Sequence, residues 1–167
     1  MGAGILPLAL YKGTLFMLLG QERHNNKWSD FGGSTIKGEK PFKTAIREGC
    51  EELNGFLGNE NELEEQVTNC LITSISFDKY TSYIFKIAYD KKLPIYFSNV
   101  NKFSEIHLKS IIENSENGLF EKKQIQWIAL NHLKKGESQI QIREHYKPIL
   151  NSILNNEEFI MRLMTQN

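Results

Sequence analysis

The chain is poor in cysteine: its 167 residues include two, Cys50 and Cys70. Without C-x-x-C spacing they build neither a zinc motif nor a disulfide framework, so both are expected to be reduced and structural. An excess of charge is missing as well. Lys and Arg number 20 and Asp and Glu number 20, for a formal net charge of +0. Proteins that grip long nucleic acids are usually basic, so this balance offers no support for that class, although it leaves room for a local basic patch. Long hydrophobic runs are also lacking. The apolar stretch up to Leu10 has no basic residue before it and is too short to span a bilayer. Gly2 invites a myristoylation reading, but that signal wants Ser or Thr where the chain has Leu6. Neither an internal repeat nor a low-complexity linker is present. A soluble cytoplasmic protein without a membrane partner is expected. What remains is ordinary: 40% hydrophobic and 24% charged residues, in a length that suits a single domain over 1–167.

The hydrophobic pattern predicts an α/β protein. Residues 4–11 and 14–20 read as a hairpin broken at Lys12-Gly13. Residues 21–30 are polar and read as a loop that ends in a flexible turn at Phe31-Gly32-Gly33. Pro41 suits the first turn of a helix running to about Asn54, with Asn54-Gly55 as its stop. An exposed acidic stretch over 57–66 is expected next, then strands at 67–77 and 80–89 and a short strand at 92–98. Apolar spacing at 103, 106, 108, 111 and 112 predicts a helix over 103–114. Residues 124–130 read as a strand, and the tail from about 139 as helical, with a start or kink at Pro148.

The chemistry is concentrated in Gly33-x5-Glu39-x7-Arg47-Glu48-x-x-Glu51-Glu52. On a helix of 3.6 residues per turn, Phe42, Ala45, Ile46, Gly49, Cys50 and Leu53 share one face. Glu48, Glu51 and Glu52 fall on the other side at i,i+3 and i,i+4 spacing, so their carboxylates can converge. Clustered carboxylates repel one another, a cost that makes sense around a divalent cation. Hard cations take oxygen ligands, often carboxylates together with substrate phosphates. Arg47 lies one turn before Glu51 and can orient a carboxylate. The bare backbone at Gly32-Gly33 can bring a carbonyl close to the same ion. The plain alternative, an acidic solvated helix face, explains the glutamates but not the fixed spacing of the whole pattern.

This segment resembles the Nudix box, G-x5-E-x7-R-E-U-x-E-E-x-G-U, where U is a bulky aliphatic residue. The match spans residues 33–55 and its acidic core is complete. Gly49 departs from the first U, Asn54 from the glycine and Gly55 from the last U, while Phe31 precedes the two glycines where many relatives have Pro. The stretches Gly4-Ile5-Leu6-Pro7 and Lys27-Trp28-Ser29-Asp30-Phe31-Gly32-Gly33 also look like Nudix proteins of large DNA viruses.

The resemblance implies the Nudix fold, a mixed β-sheet sandwiched between α-helices. It also implies hydrolysis of a nucleoside diphosphate linked to another moiety. By the same resemblance Glu48, Glu51, Glu52 and the Gly33 carbonyl would bind Mg²⁺ or Mn²⁺, Arg47 would orient the glutamates, and Glu39 would be structural. The general base would be a box glutamate or Glu121, with Glu113 and Glu116 as weaker candidates. Trp28 and Phe31 are candidate substrate contacts, with a core or rim aromatic as the alternative for Trp28. Lys122 and Lys123 are candidates for phosphates against a solvated pair, and His24 is a further contact to weigh against a solvated loop residue. His132 and His145 show no ligand spacing. The leading substrates are nucleotide sugars, ADP-ribose, dinucleoside polyphosphates and nucleoside triphosphates. Capped RNA is the second reading. It would need a basic groove drawn from Lys122, Lys123, Lys134, Lys135, Arg143 and Lys147. A non-catalytic nucleotide sensor is the third. A homodimer is common among relatives, and no feature of this sequence specifies one.

Overall fold

The computed structural model describes residues 1–113, 118–136 and 139–166. The N-terminal apolar run forms β1 (Gly2–Tyr11), which turns at Lys12-Gly13 into β2 (Thr14–Glu22). Alternate residues of these strands enter different cores. Ala3, Ile5, Ala9 and Leu18 face one apolar cluster, while Leu6, Leu8, Leu15, Met17 and Leu19 face the other. A strand buried on both faces needs apolar residues at both parities, hence the unbroken hydrophobic run.

β1 and β2 pair only near their turn, from Leu8↔Met17 to Tyr11↔Thr14. Beyond it β3 (Trp28–Ser29) pairs with β2 and β4 (Phe31–Ser34) pairs with β1. The loop and flexible turn expected over 21–33 therefore include two short strands, recruited by the free edges of their neighbours. β6 (Tyr80–Lys86) runs parallel to β1 on its other edge, β5 (Leu71–Phe77) pairs with β6, and β7 (Lys122–Ala129) pairs with β2, completing a mixed seven-stranded sheet.

Helices cover both faces. α1 (Pro41–Glu52), α2 (Glu60–Cys70) and α3 (Leu93–His107) supply Ala45, Ile46, Leu63, Val67 and Phe97 to one core. The short α4 (Lys109–Ile112) follows α3 and α5 (Leu130–Lys134) follows β7. α6 (Lys147–Asn155) and α7 (Glu157–Gln166) supply Ile149, Leu150, Ile153, Ile160 and Met164 to the other core. The expected mixed sheet between helices is what the chain builds.

Some local expectations fail for identifiable reasons. The acidic stretch at 57–66 is mostly helix α2, nucleated by a capping box between Asn59 and Glu62, and Val67 to Cys70 continue it rather than starting a strand. The short strand expected at 92–98 is the start of α3, with Pro94 in its first turn. Its inward residues include Asn101 and Ser104, whose polarity hides the helical period. The helix expected over 103–114 is the end of α3 plus α4, and Asn114 lies outside the described residues. Pro148 does open a helix, α6. Both cysteines are free, Cys50 half-buried and Cys70 exposed. Among the described residues no helix is long and apolar enough to cross a membrane.

Candidate active site

The site begins where α1 lies against β4. A Cβ at Gly33 would stand 2.5–2.6 Å from the carboxylate atoms of Glu48, so only glycine lets strand and helix approach this closely. Arg47 organises the helix surface. Its guanidinium reaches Glu39 Oε1 at 3.1 Å, Glu48 Oε1 at 3.0 Å, Glu51 Oε2 at 3.2 Å and the Ser34 carbonyl at 3.1 Å. Arg47 holds the Glu39 carboxyl down to about 2, with help from the Thr44 hydroxyl and the Ile36 amide. Glu39 thus ties the loop to the helix.

The departures from the box have physical explanations here. A Cβ on Gly49 would lie 2.5 Å from Ile5 Cδ1, so Ile5 fills the space of the missing aliphatic side chain from the opposite strand. Asn54 adopts φ 51°, taking the left-handed position of the missing glycine. Its carboxamide oxygen also accepts the Phe120 amide at 2.9 Å.

Glu52 turns inward rather than lying on a solvated helix face. It is 2% exposed, and one oxygen accepts the Gly32 amide at 2.7 Å while the other lies 3.2 Å from Lys122 Nζ. Lys122 is 0% exposed and also meets Glu22 at 2.5 Å, and Glu22 in turn pairs with Arg143 at 2.7 Å. Burial pushes the Glu52 carboxyl up to about 8 despite Lys122. Burial also works to raise Glu22, but Lys122 and Arg143 outweigh it and hold that carboxyl below the usual range. For Lys122 burial acts downward, and Glu52 and Glu22 overcome it to raise the ammonium.

Asp30, buried between β3 and β4, accepts the Tyr80 hydroxyl at 2.9 Å and the Ser82 hydroxyl at 2.6 Å. Burial raises its carboxyl to about 6 against these hydrogen bonds. A raised acid costs stability as pH climbs from its unfolded value through its folded one. Asp30→Asn is therefore expected to remove roughly 3 kcal/mol of stability loss between about pH 4 and pH 6.5. Urea unfolding of both proteins across that window tests this, and parallel profiles would refute it.

Arg23 secures the loop that carries Glu121. Its backbone amide donates to the Glu121 carbonyl at 3.0 Å and its Nε to the Phe120 carbonyl at 2.9 Å, while the remaining guanidinium nitrogens reach Glu105 and Asn101. Burial, then Glu48 and Glu22, raise the Glu121 carboxyl. A cavity of about 730 Å³ brings Glu121 together with Glu48, Glu52, Gly32 and Gly33. Glu22, His24, Arg143 and His145 line the same space.

Several expected contacts lie elsewhere. Trp28 and Phe31 are 4% and 0% exposed and packed into the two cores, so neither offers a free ring face to a substrate. Lys122 is sealed beneath Glu22 and Glu52 rather than open to phosphates. Glu51 is not among the residues lining the cavity; it pairs with Arg47 and lies against Gly118, and burial raises its carboxyl. Glu113 is exposed, and Glu116 lies outside the described residues. The basic groove does not assemble: Lys134 and Lys147 pair with Glu157 and Glu144, and of the six cations Arg143 alone reaches the cavity. Glu22 carried no sequence signal and Arg143 entered only as a possible member of the basic groove, because each is a single charge whose partners are remote in the chain.

Among the described residues no group of three acidic, His or Cys side chains forms a ready-made metal centre. The donor chemistry nevertheless suits a hard divalent ion. Glu48, Glu52, Glu121 and the Gly33 backbone offer only oxygen. The raised carboxyls of Glu52 and Glu121 are groups that nearby positive charge would relieve.

No protein-family model matches the sequence, and no curated protein resembles it significantly in sequence. Solved structures do resemble it in fold. A binary complex of the C. elegans Ap4A hydrolase aligns with a TM-score of 0.52 at 15% identity over 96% of both chains. A bifunctional NMN adenylyltransferase/ADP ribose pyrophosphatase from Francisella tularensis, complexed with AMP and a Mn ion, aligns with a TM-score of 0.56 at 19% identity. That alignment covers 93% of this chain and 41% of the other. The fold is that of the Nudix hydrolases.

Proposed function

We propose that this chain, built on the Nudix fold, is a Mg²⁺- or Mn²⁺-dependent pyrophosphohydrolase that cleaves the diphosphate linkage of a small nucleoside-diphosphate-linked compound. The observation that carries this reading is the meeting of Glu48, Glu52, the Gly33 backbone and the distant Glu121 around one cavity. Nucleotide sugars, ADP-ribose, dinucleoside polyphosphates and nucleoside triphosphates all contain the required bond. The solved structures named for Ap4A and ADP-ribose hydrolysis agree with that class. Capped RNA ranks below it for want of the basic groove.

Glu48, Glu52 and the Gly33 carbonyl would hold the ion, with Glu51 in reserve one turn along the helix. When bound, the ion neutralises phosphate oxygens and lowers the pKa of the attacking water. Arg47 orients Glu48, and Lys122 orients Glu52. As the water oxygen bonds to phosphorus, its proton passes to Glu121. The bridging P–O bond breaks, and its electron pair leaves with the departing phosphate.

Phosphate release with Mg²⁺ or Mn²⁺ over a panel of these nucleotides, with a cap-labelled RNA included, tests the reading. Turnover of one free nucleotide class is expected, and silence across the panel would overturn it. Glu121→Gln is expected to lower kcat by about 10²- to 10⁴-fold with little change in KM. An unchanged kcat would move the base into the box itself.

A further inference from the structure

The acidic residues occupy one side of the cavity. The other side is built from different chemistry: the β5–β6 hairpin with Phe77, Asp78, Lys79 and Tyr80, together with Arg143 and His145. The hairpin is firmly placed. Phe77 pairs with Tyr80 across the Asp78-Lys79 turn, the Gly2 amide donates to the Lys79 carbonyl at 2.8 Å, and Tyr80 is in register with Gly2 of β1. Gly2 is in register with Ser34 of β4 on the opposite edge. The hairpin and the Gly33 backbone are therefore two strand spacings apart, about 10 Å, which a ribose and a phosphate can bridge.

Each side chain of this wall has a distinct character. The phenol of Tyr80 is locked onto Asp30, and a Cβ at Gly2, Gly4 or Gly32 would collide with this side chain, so its ring is a fixed floor over bare backbone. His145 packs edge-on against that ring at 5.5 Å, and burial together with Arg143 lowers the pKa of its imidazole. Phe77 is 53% exposed, and among the described residues its ring meets no other aromatic ring. Lys79 has no carboxylate partner among the described residues. Single exposed apolar side chains are common on protein surfaces. This one stands in a cavity wall beside an unpaired ammonium.

We propose that this hairpin wall is the nucleoside subsite: the base of a nucleoside diphosphate stacks on Phe77, and its phosphates run past Lys79 towards Gly33 and Glu48. The inference rests on the hydrolase reading for the direction of the phosphates. An aromatic face accepts any base, while the Lys79 ammonium favours an anion; Arg143, already paired with Glu22, adds positive charge nearby. Together they select a nucleotide over a free nucleoside or a free base.

Binding calorimetry with Mg²⁺ tests this on the full chain. The probes are the non-hydrolysable α,β-methylene analogues of ADP and GDP, and methylenediphosphonate as the base-free control. Phe77→Ala is expected to weaken both nucleotide analogues at least about fivefold, the scale of one lost base stack, and to leave methylenediphosphonate unchanged. Phe77→Trp is expected to bind like the parent, which separates loss of stacking from loss of fold. Lys79→Gln is expected to weaken all three probes. Parental nucleotide affinity in Phe77→Ala, or a parent that binds methylenediphosphonate as tightly as the nucleotides, overturns the subsite. Hydrolysis of the nucleotide panel alongside either result sinks the subsite alone, whereas Phe77-dependent binding without any hydrolysis sinks the hydrolase reading alone.

Discussion

Glu52→Gln is expected to lower metal-dependent turnover by about a thousandfold or more while the protein keeps its fold. The loss corresponds to roughly 4 kcal/mol of transition-state stabilisation, the order expected when a bound ion loses a charged ligand. The fold survives because glutamine has the shape of glutamate and its one carbonyl can still accept from Lys122, whose other partner Glu22 is untouched, at the cost of the hydrogen bond from the Gly32 amide. Turnover in the presence of Mn²⁺, together with a melting curve, reads both halves. Near-parental turnover would remove Glu52 from the proposed ligand set.

Lys122→Met is expected to be the most destabilising single change at the site, about 3–5 kcal/mol. For a chain of this length that is a fall of roughly 10 °C in Tm. The lysine has no solvent exposure, and its loss leaves the buried Glu22 carboxylate with Arg143 as its remaining cation and takes from the buried Glu52 carboxyl the donor on one of its oxygens. Adding Glu22→Gln to Lys122→Met should recover part of the loss, because one uncompensated charge is then gone. Calorimetric melting of the two single variants and the double variant measures this coupling. A Tm for Lys122→Met within a degree or two of the parent would show that the triad carries no stability. The same substitution should also reduce turnover, since Lys122 holds one oxygen of Glu52.

The failures of sequence reading at this site share one cause. Trp28, Phe31 and Lys122 flank the box or the Glu121 loop, so proximity in sequence suggested contact with substrate. Proximity does not say which side of the sheet a residue faces. β3 and β4 insert between the diverging halves of β1 and β2, which drives Trp28 into one core and Phe31 into the other. On β7, Lys122 pairs with Glu22 of β2 in the ladder, and its ammonium reaches the same residue's carboxylate. Phe77, by contrast, gave no sequence signal because it ends an ordinary strand, and its place in the cavity follows from the pairing of β6 with β1.

Local features were legible because helices and turns are written in short-range spacing. The apolar parity of β1 and β2, the proline start and Asn-Gly stop of α1, and the i,i+3 and i,i+4 glutamates are all read within a few residues. The capping box of α2 belongs with them and was there to be found. The electrostatic frame of the site is of another kind. Lys122 and Glu22 are separated by 100 positions, Arg143 and Glu22 by 121. No periodicity links residues so far apart, and only the closing of the sheet, with the 139–143 segment laid beside Trp28, brings those charges together and buries them.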